Sequence, residues 1–85
     1  MQVTVLYFAS LREALSRSRE TLQLPPSVST AGELRAWLAS RDEDFARALG
    51  PSRAVRVAVD QDMADGATPL RDGAEVAFFP PVTGG

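Results

Sequence analysis

Arg53-Ala54-Val55-Arg56-Val57-Ala58-Val59-Asp60 alternates cleanly, with Val55, Val57 and Val59 on one side and Arg56, Ala58 and Asp60 on the other. Side chains along a strand alternate between faces, so the pattern predicts a strand with one buried face. Just upstream, Gly50-Pro51 ends a helical pattern carried by Phe45, Ala48 and Leu49. The pair reads as a stop in which glycine takes a left-handed cap. Further back, Thr30 and Glu33 have the spacing of a capping box, and Leu34, Trp37, Leu38 and the stem of Arg41 form a stripe at helical intervals. This predicts the main helix.

The N-terminal part supplies two more strands. Gln2 to Phe8 is rich in β-branched and aromatic residues, with Val3, Val5 and Tyr7 on one face and Leu6 and Phe8 on the other. Ser10 and Glu13 repeat the capping-box spacing, which predicts a short helix through Leu15. Glu20 to Leu24 reads as a strand with Leu22 and Leu24 inward, closed by Pro25-Pro26. Downstream, Met63-Ala64 lies between polar turns, Asp72-Gly73 reads as a hairpin turn, and Glu75 to Phe79 is the last strand. Together these elements predict an α+β domain in which one main helix packs across a mixed sheet.

Composition narrows the chemistry. The chain has 85 residues, 45% hydrophobic and 24% charged, which suits a single compact domain. Cysteine and histidine are absent, which excludes disulfides, thiolate nucleophiles and the usual zinc ligands. All nine basic residues are arginine, scattered from Arg12 to Arg71, and the net charge is -2. Nucleic acid is not an expected partner. No apolar run is long enough to span a bilayer, and the N-terminus lacks a secretory signal, so no membrane partner and a cytoplasmic location are expected. Asp42, Glu43 and Asp44 read as a solvated helix start and not as a metal site.

The C-terminus carries the strongest functional signal. Val76 and Phe78 share parity and should face the helix, which leaves Ala77 and Phe79 on the opposite face, with Phe79 exposed. Leu6, Phe8, Ala77 and Phe79, with Met63 nearby, then form an apolar patch that marks a partner surface. Leu6 is expected to be covered by the helix of Leu11 to Leu15, while Phe8, Met63 and Phe79 remain for a partner. Pro80-Pro81 ends the ladder and stiffens the chain, and Val82, Thr83, Gly84 and Gly85 follow as an extended, flexible tail. Gly84-Gly85 has no side chain and can enter a narrow channel in another protein.

The run Glu75-Val76-Ala77-Phe78-Phe79-Pro80-Pro81-Val82-Thr83-Gly84-Gly85 resembles the C-terminus of the molybdopterin synthase small subunits, a family of sulfur carriers. Val5-Leu6-Tyr7-Phe8-Ala9 with Leu11-Arg12-Glu13, Ala58-Val59-Asp60-Gln61, and Pro69-Leu70-Arg71-Asp72-Gly73 agree with it as well. The resemblance covers nearly the whole chain. It implies a ubiquitin-like β-grasp over residues 1–79, with 80–85 as the Gly-Gly tail. It further implies that an ubiquitin-activating-like adenylating enzyme, using ATP and magnesium, activates Gly85, and that a sulfur donor protein converts it to a thiocarboxylate.

In that family the large synthase subunit receives the tail and sulfur passes to the dithiolene of molybdopterin within a heterotetramer. The resemblance places Gly85, with Gly84, at the reacting end, and Phe8, Met63, Phe79, Pro80, Pro81, Val82 and Thr83 at the partner interface. No cofactor or metal is expected on this chain, which acts as a non-catalytic sulfur-donating subunit. Asp60 departs from the family pattern, where asparagine is common at that turn. A carrier for thiamine or cysteine synthesis, or a ubiquitin-like binding module that is never activated, are the alternatives.

Overall fold

The computed structural model describes residues 1–81. Five strands, β1 (Gln2–Tyr7), β2 (Arg19–Gln23), β3 (Arg56–Val59), β4 (Asp62–Ala64) and β5 (Glu75–Phe79), form one sheet in the order β2-β1-β5-β3-β4. β1 and β5 pair in parallel at its centre, and the other neighbours are antiparallel. Three helices, α1 (Ala9–Leu15), α2 (Ala31–Ala39) and α3 (Glu43–Leu49), complete the elements of the described residues.

Every inward position of the two central strands is buried: Val3, Val5 and Tyr7 from β1, Val76 and Phe78 from β5. Leu34 and Leu38 of α2, Phe45 and Leu49 of α3, and Leu11 and Leu15 of α1 close the same core. All three helices therefore cover one face. α2 begins as its sequence predicts: Thr30 accepts from the Glu33 N–H at 3.1 Å, and Glu33 Oε1 accepts from the Thr30 N–H at 3.1 Å. α3 starts at Asp42, whose carboxylate accepts from the Phe45 N–H at 3.0 Å. That is the helix-start role read for the Asp42-Glu43-Asp44 run.

A polar clasp seals one margin of the core. Tyr7 Oη donates to Glu20 Oε2 at 2.6 Å, and Glu20 also pairs with Arg17 at 3.1 Å and Arg41 at 2.8 Å. Both guanidinium groups lie against the Phe45 ring, 5.1 and 4.6 Å from its centroid. Burial and the bond to Glu20 push the Tyr7 phenol far above its ordinary range. Burial pushes the Glu20 carboxyl up, but the bonds from Tyr7 and Arg41 and the two arginine charges outweigh it and hold it below the usual value.

Four expectations need correction. Ser10 does not cap α1; the helix starts at Ala9 behind an extended Phe8 that makes no side-chain cap, and the chain turns through a positive φ of 53° at Ala9. Gly50 is extended at φ -60°, ψ 162° and not left-handed. Its reason for being glycine is space, since a Cβ there would sit 2.4 Å from the Ala46 oxygen. Asp72-Gly73 makes a turn but no hairpin, because β3 lies between β4 and β5. Instead the Gly73 N–H donates to the Gln2 oxygen at 2.7 Å, and Asp72 accepts from the Gln2 N–H at 2.7 Å, so the turn fastens the start of β1. Finally, α1 does not cover Leu6: Leu11 and Leu15 pack into the core on the far side of the sheet, and Leu6 lies outside that cluster.

Candidate functional site

The uncovered sheet face is built by register. Leu6 pairs with Ala77, Ala77 with Ala58, and Ala58 with Met63, so these four side chains form one row across four strands. Arg19 of β2 stands opposite Leu6 and continues the row at the sheet margin. Arg56 pairs with Phe79, and the Phe8 N–H donates to the Phe78 oxygen at 3.1 Å, which carries the β1–β5 register one residue on and sets Phe8 beside Phe79. Towards the other end the face carries Thr4, paired with Glu75.

Phe8 is 46% and Met63 62% exposed, the large apolar side chains most open to solvent among the described residues. Phe79, expected to be exposed, is half-buried, because Phe8 and Arg56 flank it from both neighbouring strands. Pro80 and Pro81 are also half-buried. Phe8, Met63 and Phe79 share the uncovered face, Met63 in the central row and Phe8 and Phe79 two residues along the strands from it. Val82, Thr83, Gly84 and Gly85 lie outside the described residues. Ala58 was missed as part of this face, although the alternation that buries Val57 also turns Ala58 outward.

The hairpin that places Met63 depends on Asp60. Val59 pairs with Asp62 across a two-residue loop, with Asp60 at φ 50° and Gln61 at φ 70°, the left-handed pair of a type I′ turn. Asp60 also binds β5: its N–H donates to the Glu75 oxygen at 2.8 Å, and its carboxylate accepts from the Glu75 N–H at 2.9 Å.

On the helix side, a groove of about 500 Å³ opens between the start of α2 and β3–β4, with Pro81 at its rim. Its walls are mainly apolar, including Ala31, Val55, Val57 and Ala64. The Arg35 guanidinium there already donates to the Leu49, Gly50 and Arg53 oxygens at 2.7–2.8 Å. The groove's other charged lining residues are Arg56 and Asp65. Among the described residues, no cluster of acidic side chains could hold a metal ion, and no helix is long and apolar enough to cross a membrane.

A mixed sheet with parallel terminal strands at its centre and α2 packed across it defines a ubiquitin-like β-grasp domain. Residues 5–85 match the ThiS family. The chain belongs to that family. It is 37% identical over 83 residues to the molybdopterin synthase sulfur carrier subunit of Escherichia coli, covering 98% of this chain and 99% of that one. Among solved structures it resembles a protein of Pyrococcus furiosus with a TM-score of 0.79 at 26% identity, covering 96% of this chain and 99% of that one. It also resembles the complex of subunits 1 and 2 of the molybdopterin-converting factor from Helicobacter pylori, with a TM-score of 0.70, 28% identity and full coverage of both chains.

Proposed function

We propose that this chain is the sulfur carrier subunit of a molybdopterin synthase and that Gly85 is its donor end. The observation that carries the reading is similarity along the whole length to a named carrier subunit, in a chain that ends in Gly84-Gly85 and has no histidine, cysteine or lysine for chemistry of its own.

A carboxylate is a poor acyl donor until it gains a good leaving group. A Gly85 carboxylate oxygen attacks the α-phosphate of ATP in an adenylating enzyme of the ubiquitin-activating kind, with magnesium on the phosphates, and pyrophosphate leaves. Sulfide from a sulfur donor protein then attacks the acyl carbon, AMP leaves, and a thiocarboxylate remains. The large synthase subunit docks on the Leu6–Met63 row and the Phe8–Phe79 pair, and the chain from Pro80 through Val82 and Thr83 feeds Gly84-Gly85 into its active site. This chain supplies position and a carboxyl group, and the partners supply the catalytic groups.

Intact-mass spectrometry after incubation with the activating enzyme, ATP and a sulfur source tests the reading. One oxygen-for-sulfur exchange is expected on the full chain and none on a chain lacking Gly85, since one extended residue displaces the carboxyl by about 3.3–3.6 Å. Gly84→Ala is expected to gain sulfur more slowly, because a methyl group narrows the fit in the channel. Sulfur gain by the deletion variant would overturn the assignment of Gly85. Sulfur gain by the full chain without molybdopterin formation on the large subunit would instead point to a carrier for thiamine or cysteine synthesis.

A further inference from the structure

The uncovered face is self-complementary along the strands. Its centre is the Leu6–Ala77–Ala58–Met63 row. Two residues on one side of that row stand Phe79 and, paired with it on β3, Arg56. Two residues on the other side stand Glu75 and, bonded to it, Asp60. The Arg56 end and the acidic end are thus equally distant from a centre whose middle positions are the small residues Ala77 and Ala58; Asp65, which follows Ala64 opposite Arg56, has its carboxylate turned to the Ala67 N–H and the Thr68 hydroxyl of its own loop.

We infer that this face also binds a second copy of the chain, face to face, about a two-fold axis that runs along the row and perpendicular to the strands. A rotation about that axis keeps each strand over its own counterpart and reverses its direction, so Arg56 of each copy lies over Asp60 and Glu75 of the other. Each Phe79 ring covers the stem of the other copy's Glu75, and the two Met63 side chains meet on the axis. The alanines let the sheets approach, and the two Arg19 side chains, which the axis brings together at the exposed β2 margin, turn outward into water. Among the described residues neither Arg56 nor Glu75 is engaged in an ion pair within its own chain, so both are available for this contact.

Four strands about 4.8 Å apart and five residues of about 3.3 Å give a face of roughly 300 Å². That is well under half of the roughly 800 Å² that each partner buries in a standard stable interface, so the pair is weak. The free carrier then hides its apolar face at high concentration, and a larger partner displaces the second copy. Because the same face serves the proposed synthase contact, the test uses the isolated chain and requires no sulfur chemistry.

Sedimentation equilibrium of the full-length chain from about 10 μM to 1 mM should show the mass average rising from one copy towards two. Arg56→Glu should weaken association at least about tenfold, because it sets like charges over Asp60 and Glu75. Combining Arg56→Glu with Glu75→Arg should recover part of the loss, since the introduced acid then faces an introduced base beside the unchanged Asp60. Circular dichroism melts would confirm that the variants are folded. A chain that stays monomeric to 1 mM overturns the inference, as does growth beyond two copies, or association that ignores the single swap or recovers nothing in the double one.

Discussion

Phe78 and Phe79 are adjacent in β5 and lie on opposite faces of the sheet, Phe78 1% exposed within the core and Phe79 half-buried beside Phe8. Truncating the two should therefore separate stability from binding. Phe78→Ala leaves a cavity among Tyr7, Val76 and the helices and should cost about 3–5 kcal/mol of stability. Phe79→Ala should cost the fold about 1 kcal/mol, and should weaken binding to the large subunit tenfold to hundredfold by removing about 1.5–3 kcal/mol of buried aromatic surface. Thermal melts and binding titrations of both variants check the contrast; equal losses of stability would contradict it.

The Tyr7–Glu20–Arg41 clasp makes stability depend on pH. The folded Glu20 carboxyl titrates below its unfolded value, so its contribution is fully present above the unfolded pKa of about 4.3 and is lost as pH falls through the lower folded value. Glu20→Gln should cost about 1–3 kcal/mol at pH 7 by weakening charge-assisted bonds to Tyr7, Arg17 and Arg41. Urea titrations of both proteins between pH 7 and 3 should show that difference shrinking below about pH 4. A difference that is constant across the range would place the stabilisation elsewhere.

Gly32 and Gly66 approach backbone to backbone, and the Gly32 N–H donates to the Gly66 oxygen at 2.9 Å. A Cβ on Gly32 would lie 2.9 Å from that oxygen, whereas one on Gly66 would meet its nearest atom at an ordinary 3.6 Å. Gly32→Ala should therefore destabilise by about 1–2 kcal/mol despite its gain in helix propensity, and Gly66→Ala by less than about 0.5 kcal/mol. Denaturant midpoints of the pair give the answer, and the reverse ranking would refute the close approach.

Asp60 holds a left-handed conformation and accepts the Glu75 N–H, two demands that asparagine also meets. Asp60→Asn should leave stability within about 0.5 kcal/mol of the parent. Asp60→Ala loses the acceptor and tolerates φ 50° less well, so about 1–2 kcal/mol should be lost. Hydrogen exchange at the Glu75 amide should quicken in Asp60→Ala alone. Unchanged exchange there would show that the carboxylate contributes nothing to the ladder.

The elements legible in the sequence were those that depend on local pattern. The capping box at Thr30 and Glu33, the alternation from Val55 to Val59, and the opposed parities of Phe78 and Phe79 each rest on neighbours a few residues apart. Expectations failed where a distant contact overrode a local preference. Ser10 has the right spacing for a cap, but the chain turns sharply at Ala9 as it leaves β1, and the helix begins before serine can serve. The helix of Leu11 to Leu15 leaves Leu6 uncovered because Leu11 and Leu15 join Tyr7 and Phe45 in the core on the other face. Phe79 lost part of its exposure to Arg56, which only the β3–β5 register brings alongside. Of the site, the faces of Phe8 and Phe79 were readable from parity and Met63 only from the resemblance, while the inclusion of Ala58 and the charged ends required the pairing of strands far apart in sequence.

The central position of β5 has a mechanical consequence. Pulling on residues beyond Pro81 loads β5 along its own axis, with β1 hydrogen-bonded on one side and β3 on the other. Bonds perpendicular to a pulling force share the load across the whole ladder, whereas an edge strand peels one bond at a time. In the docking proposed above, the body can therefore be drawn away from a gripped tail, under tension, without unravelling from the end that is held.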